Sequence, residues 1–260
     1  MEHSVGIVIP TLGDRPEYLA ECVRSIRAAG SAVLAIVCSE AAQQALMEAG
    51  IQPDLWVDDP GGGAAPAINS GVAALPAHVT VVGWIGDDDL LEPETLHPLE
   101  RCLGGATVAV FGACRYVDGE GSELFVNRSG WYAPLLMRVG PNLLPQPGSL
   151  IKRSAWELIG GLDPSLKWTF DLDLFIRLGA HGKIVHTNRV VASFRWHPGS
   201  LTAGSRQGSV DEASLVRLRH MPRSIRPAAR LWEPAMRRMI LMAGNRVTQR
   251  ISRRQASRAE

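Results

Sequence analysis

Wholly or almost wholly apolar runs recur early in the chain, at Val5–Pro10, residues 32–38 and residues 80–85, with helix-patterned segments between them. A strand with one wet face alternates polar and apolar residues. A run apolar throughout must be covered on both faces. Residues 17–29 carry Leu19, Cys22, Val23 and Ile26 on one side and stop at Gly30. Residues 41–49, 65–75 and 94–103 read as further helices, and 55–57 and 108–116 as strands. Strands alternating with helices at this spacing predict an α/β fold with a mainly parallel, Rossmann-like sheet flanked by helices. In such sheets ligands gather at the carboxyl ends of the strands, here the loops after Ile9, Cys38, Val57 and Ile85.

The second half is less regular. Residues 140–148, rich in Gly and Pro, read as a long loop; 154–159 and 172–178 as helices; 185–194 as a strand. With 260 residues, 46% hydrophobic and 20% charged, the balance is globular and excludes a disordered or collagen-like chain. No apolar stretch approaches the ~20 residues of a membrane-crossing helix. The four cysteines are scattered, which argues against a zinc knuckle or disulfide framework and for a reducing, cytoplasmic setting. The start of the chain leads directly into the first apolar run and reads as a core strand, not a signal peptide.

Three carboxylates in a row, Asp87, Asp88 and Asp89, follow the third apolar run. Adjacent buried acids repel one another, so they stay ionised cheaply only with solvent or a cation. A hard divalent ion, Mn2+ or Mg2+, is the natural partner, and a solvated turn capping the next helix is the alternative. A second acid pair, Asp171 and Asp173, sits among large apolar residues, where a raised pKa would suit a general base. The alternative there is a helix cap by Asp171 and an i,i+4 pair between Asp173 and Arg177. A later loop carries Arg195, which suits diphosphate, and His197, a metal-ligand candidate that could equally be structural. Residues 61–63, all glycine, together with Asn69 could bring backbone close to a ligand or simply form a flexible loop.

In this order the segments resemble the family 2 glycosyltransferases of the GT-A fold over about residues 4–205. Val8-Ile9-Pro10-Thr11 and Asp14-Arg15-Pro16 are similar to the family's first nucleotide-binding loop. Gly63-Ala64-Ala65-Pro66 through Asn69 is similar to its glycine-alanine-rich helix start, and Gly86-Asp87-Asp88-Asp89 to its metal-binding D-x-D segment. Gly160-Gly161-Leu162-Asp163 with Phe170-Asp171-Leu172-Asp173 is similar to the acceptor-side segment bearing the base, and Arg195-Trp196-His197 to a late loop near metal and diphosphate.

The resemblance implies an inverting transferase that takes a sugar from a UDP- or dTDP-type donor to a hydroxyl acceptor. It assigns Asp171 as base, with Asp173 as the other candidate; Pro10, Thr11, Arg15, Glu40, Asn69, Asp87, Asp88 and Arg195 to the donor; Asp88, Asp89 and His197 to Mn2+ or Mg2+; and Trp168 and Asp173 to the acceptor side. The chain departs from the pattern in places: Gly86 stands where the first Asp of the motif would fall, Phe170 precedes the base, and Glu40 substitutes for the acids that usually end the second strand.

The net charge of +1 conceals a segregated design. Residues 216–260 hold 12 Arg and 2 Glu, a balance of +10, which leaves −9 for the rest. Met236, Met239, Ile240, Ala243, Val247 and Ile251 share one helical face among those arginines. A basic helix of this kind suits a membrane surface and a lipid-linked acceptor at its inner face. Packing on the catalytic domain, or a homodimer contact, is the alternative. Nucleic acid is the poorest partner, because no aromatic interleaving accompanies the arginines. The expected division is a catalytic domain over 1–205 and a basic helical extension over 206–260. Two other functions would use the same sheet. A sugar nucleotidyltransferase wants a basic Gly-rich loop after the first strand, which Pro10-Thr11-Leu12-Gly13-Asp14 does not supply. A non-catalytic sugar-nucleotide-binding relative would bind donor without turnover.

Overall fold

The computed structural model describes residues 4–196 and 206–259. Its first half follows the predicted alternation: β1 (Val5–Pro10), α1 (Pro16–Ala29), β2 (Val33–Cys38), α2 (Glu40–Glu48), β3 (Leu55–Asp58), α3 (Ala64–Ala74) and β4 (Val81–Trp84). Then come β5 (Leu90–Leu91), α4 (Leu96–Arg101), β6 (Thr107–Val117), β7 (Glu123–Asn127), α5 (Ala133–Leu136), β8 (Leu150–Lys152), α6 (Arg153–Leu158), α7 (Phe170–Leu178) and β9 (Lys183–Arg195). Two helices close the described chain, α8 (Arg206–His220) and α9 (Arg226–Ala259).

One sheet runs in the order β3-β2-β1-β4-β8-β6-β9-β5, with β7 paired to β6. β3, β2, β1 and β4 are parallel, as is β6 with β9, while β8 is antiparallel to both β4 and β6. The wholly apolar composition of β1 has its reason here. Val8 packs into one core with Val37 of β2, Ile68 and Val72 of α3, and Leu172 and Phe175 of α7. Ile7 and Ile9 face the opposite core, with Leu19, Cys22 and Ile26 of α1 and Leu96 of α4.

Short elements are where the structure adds to the sequence pattern. β5 and β8 have two and three residues, too few to show a period. β8 is inserted centrally, with Ile151 opposite both Val82 and Ala109. The turn expected after β6 is present: Asp118 Oδ1 accepts from the amides of Glu120 and Ser122 at 3.1 and 2.8 Å. It closes a hairpin onto β7, a strand the pattern did not suggest.

The C-terminal helices are tied to the body and to each other. Arg217 of α8 is fully buried; its Nε and Nη2 donate to the two Glu233 oxygens of α9 at 2.8 and 3.0 Å. Trp232 Nε1 donates to the Val139 carbonyl at 3.1 Å. The expected apolar face of α9 is only partly covered. Met236 is buried and Ile240 half-buried, but Met239 and Ala243 are exposed; the side chains of Val247 and Ile251 lie outside the described residues.

α3 approaches β1 and β2 closely through Gly71, where a Cβ would stand 2.4 Å from Val8 Cγ1 and 2.8 Å from Val37 Cγ2. Gly71→Val is therefore expected to cost at least about 2 kcal/mol by overpacking, read as a lower urea midpoint. An unchanged midpoint would mean that α3 can lift off the sheet freely.

Candidate active site

The carboxyl ends of β1 and β4 lie side by side, because the two strands pair in parallel with Val8 opposite Trp84. Thr11 follows the first and the acid triplet follows the second. Thr11 Oγ1 donates to Asp87 Oδ2 at 2.5 Å. Arg15, just before α1, reaches Asp87 Oδ1 at 3.2 Å and Asp88 Oδ2 at 3.0 Å. All three acids are at least nine-tenths buried. Burial pushes the Asp87 carboxyl up, against the pull of Thr11 and Arg15. It pushes Asp89 up strongly, with the neighbouring Asp88 adding to the effect. The triplet is thus an under-compensated anionic corner.

The end of β9 closes that corner. The Arg195 amide donates to Asp89 Oδ1 at 2.9 Å, so Asp89 does not cap a helix; α4 begins at Leu96, after Thr95. The buried Arg195 side chain is occupied along its length. Nε donates to the Asp88 carbonyl at 2.9 Å, Nη1 to the Gly119 carbonyl at 3.0 Å and Nη2 to Glu21 Oε2 at 2.6 Å. Its guanidinium carbon stands 4.2 Å from the centre of the Tyr18 ring, and the Tyr18 hydroxyl also donates to Gly119 O, at 3.1 Å. Tyr18 and Glu21, one turn apart on α1, complete a clasp that the sequence reading did not single out.

The residues present fit a hard cation in one respect. A Cβ on Gly86 would stand 2.8 Å from Asp88 Oδ1 and 3.2 Å from Asp89 Oδ2, so two carboxylates converge on the space that this glycine leaves open. Oxygen donors of this kind suit Mn2+ or Mg2+. Among the described residues, no three His, Cys, Asp or Glu side chains are arranged to hold a metal. His197, the expected third ligand, lies outside the described residues.

Asp171 is the second residue of α7 and is partly exposed. Its Oδ2 accepts from Asn142 Nδ2 at 3.0 Å, a partner supplied by the Gly- and Pro-rich loop. Crowding by protein raises its carboxyl to about 6, against the pull of hydrogen bonds from the Leu172 amide and Asn142. Burial pushes the phenol of Tyr116 on β6 up, and the charges of Cys114, Asp89 and Asp171 add to this. Tyr116 stacks on Phe125 at 4.4 Å and packs near Phe194 and Trp196 at 5.1 and 6.4 Å, forming an aromatic wall.

Other expected residues have structural commitments. The predicted Asp173–Arg177 pair forms, at 2.7 Å, and Asp173 Oδ1 also meets His220 Nε2 at 2.7 Å. Buried and doubly paired, Asp173 faces the interior. The Asn69 amide exchanges two 2.9 Å bonds with the backbone of Leu162, fastening α3 to the loop before α7. Glu40 is exposed at the start of α2, capped by Ser39. The Asp171 carboxyl takes a bond from the Leu172 amide in the first turn of α7. The N-cap residue Thr169 makes no side-chain bond to the helix, and Glu212 of α8 holds the backbone just before it.

No family model matches the chain. Over 133 residues it is 28% identical to the chondroitin synthase of Pasteurella multocida (strain Pm70), and equally to the hyaluronan synthase of Pasteurella multocida. The match covers 50% of this chain but 14% and 13% of those proteins, so it speaks to one part of each. The fold resembles Staphylococcus aureus TarS residues 1–349, with a TM-score of 0.61 and 11% identity over 90% of this chain and 71% of that one. It equally resembles a Pyrobaculum calidifontis mannosyltransferase, solved with GDP-Man and Mn2+, at a TM-score of 0.61 and 14% identity over 97% and 76% of the two chains. The fold is GT-A. Together with the synthase matches, it supports a GT-A-like family 2 glycosyltransferase.

Proposed function

We propose that the chain is an inverting, metal-dependent glycosyltransferase that moves a sugar from a UDP- or dTDP-type donor to a hydroxyl acceptor. The observation that supports this reading is the coexistence of a buried, incompletely offset acid corner after β4 with a separate carboxylate, Asp171, that burial raises to about 6. The neighbours add support: a TarS structure holds UDP, and the mannosyltransferase holds GDP-Man with Mn2+.

The residues divide the work by their environments. Thr11 and Arg15 fix Asp87 and Asp88, while Pro10, Thr11 and Glu40 face the nucleoside. Asp88 and Asp89, with His197, would hold a dication, which when bound offsets charge on the departing nucleoside diphosphate. Arg195 holds the corner's shape. Asp171 takes the proton from the acceptor hydroxyl as that oxygen bonds to the anomeric carbon and the bond to diphosphate breaks on the opposite side. Trp168, with Lys167 Nζ 5.0 Å from its ring centre, lies just before α7 in the chain and would flank the acceptor.

The pH dependence follows from the raised Asp171 carboxyl. A base must be ionised to accept a proton, so kcat should rise with pH through about 6. Asp171→Asn should lower kcat about 10²–10⁴-fold and remove that limb while donor binding survives. Asp88→Asn should instead weaken metal-dependent donor binding, read by thermal upshift with nucleotide sugar and Mn2+. Full turnover by Asp171→Asn, or activity undiminished by exhaustive chelation, would contradict the mechanism.

The acceptor and setting belong to the same proposal. Leu231, Met239 and Met242 are exposed on α9, as are Arg230, Arg238 and Arg246. Exposed apolar side chains among arginines suit the inner, anionic face of a membrane and a lipid-linked acceptor. No described helix is long and apolar enough to cross a membrane. Sedimentation with vesicles containing anionic lipid should carry down the wild type and release M239E/M242E. Equal partitioning of the two would refute membrane contact through this face. The point variants keep Glu233, the partner of the buried Arg217, in place.

A further inference from the structure

The backbone that leads into the helix of Asp171 is held from outside that helix. Thr169, its N-cap residue, offers no side-chain bond to the helix. Instead Glu212, on α8 and more than forty residues further on, inserts its carboxylate at that end. Oε1 accepts from the Lys167 amide at 2.9 Å. Oε2 accepts from the amides of Trp168 and Thr169 at 2.7 and 2.8 Å, and from Thr169 Oγ1 at 2.9 Å. One side chain thus holds four donors in the three residues that lead into the helix of the base. These bonds hold the Glu212 carboxyl below the usual range despite partial burial, so it stays charged at neutral pH.

The same helix grips α7 again further along. His220 Nε2 meets the buried Asp173 at 2.7 Å, and Arg219 Nη1 reaches Asp163 Oδ2, in the loop before α7, at 2.6 Å. α8 is in turn locked by the buried Arg217–Glu233 pair from α9. The contacts form a chain from the basic C-terminal segment to the catalytic helix. Glu212 acts two residues from Asp171, and its charge is among the influences on that carboxyl.

We propose that Glu212 is a positioning residue for the glycosyl-transfer base: it fixes the entry to α7, and so the direction of Asp171 and the setting of Trp168 on the acceptor side. The proposal rests on the reading of Asp171 as base. Part of the active site is therefore built by the C-terminal extension, and the boundary near residue 205 does not separate catalysis from an independent tail.

The test uses the full chain as wild type, Glu212→Ala, Glu212→Gln and Asp171→Asn. Three quantities are read: kcat and KM for donor and for acceptor, the acid limb of the kcat–pH profile, and amide hydrogen exchange over residues 167–178. Glu212→Ala should lower kcat about 10–100-fold, as expected when a proton-transfer group is misaligned. Donor KM should stay within about twofold of wild type, since bound donor faces the other acids. The acid limb should move to lower pH in both Glu212 variants, because a negative charge near Asp171 is gone. Exchange should quicken at residues 167–169. Glu212→Gln, of the same size but with one acceptor oxygen, should fall between Glu212→Ala and wild type and guards against a variant that fails to fold.

Quickened exchange with wild-type kcat and acid limb, beside an inactive Asp171→Asn, would overturn the positioning role and leave the base in place. Full turnover by Asp171→Asn would overturn the reading of the base and this proposal together.

Discussion

Everything at the candidate site depends on how three adjacent carboxylates are held together at the end of β4. Left alone they would spread, because each buried charge raises the cost of the next. Arg195 opposes this by its position more than by its charge. Its amide fixes Asp89 and its Nε fixes the Asp88 carbonyl, while the far end of its guanidinium is anchored on Glu21 and Gly119. The far end of its guanidinium pairs with Glu21 of α1, and although its charge draws Asp89 down, burial and Asp88 still hold that carboxyl well up. The corner keeps its shape and, beside Arg15, a negative charge that burial leaves incompletely offset; the proposed dication-bound diphosphate would require that combination.

The same separation of tasks governs the base. Asp171, the proposed base, needs a higher proton affinity than a salt bridge would leave it, and its side-chain partner is the neutral Asn142. The nearby Asp173 has the opposite treatment, paired with Arg177 and His220. The two carboxylates lie two residues apart on one helix, yet their titrations are driven in opposite directions. That divergence distinguishes a proton-handling acid from a structural one. It carries a linkage cost: a carboxyl whose folded pKa is raised weakens the fold as pH rises through about 6. A site of this kind trades some stability for reactivity.

Much of this was legible in the sequence. The doubly apolar strands announced a sheet covered on both sides, and Val8 against Ile7 and Ile9 shows why no polar residue could sit there. The acid triplet, Asp171 and the Asp173–Arg177 pair stood out because neighbours in sequence carry the chemistry. β5 and β8 were hidden because two or three residues hold no period, and their pairing is decided by strands far away. Asn142 sits in a loop whose composition says only that it is a loop. Glu212 could not be found from local pattern, because an acid on a polar helix face is ordinary until the chain brings three amides to it.

The most direct test of the central claim is a crystal structure with Mn2+ and a non-hydrolysable nucleotide-diphosphate sugar, with the metal located by anomalous scattering. The account predicts a manganese peak within coordination distance of Asp88, the diphosphate against it, and the anomeric carbon open toward Asp171. A peak elsewhere, or donor bound with Asp171 on the far side of the sheet, would contradict it.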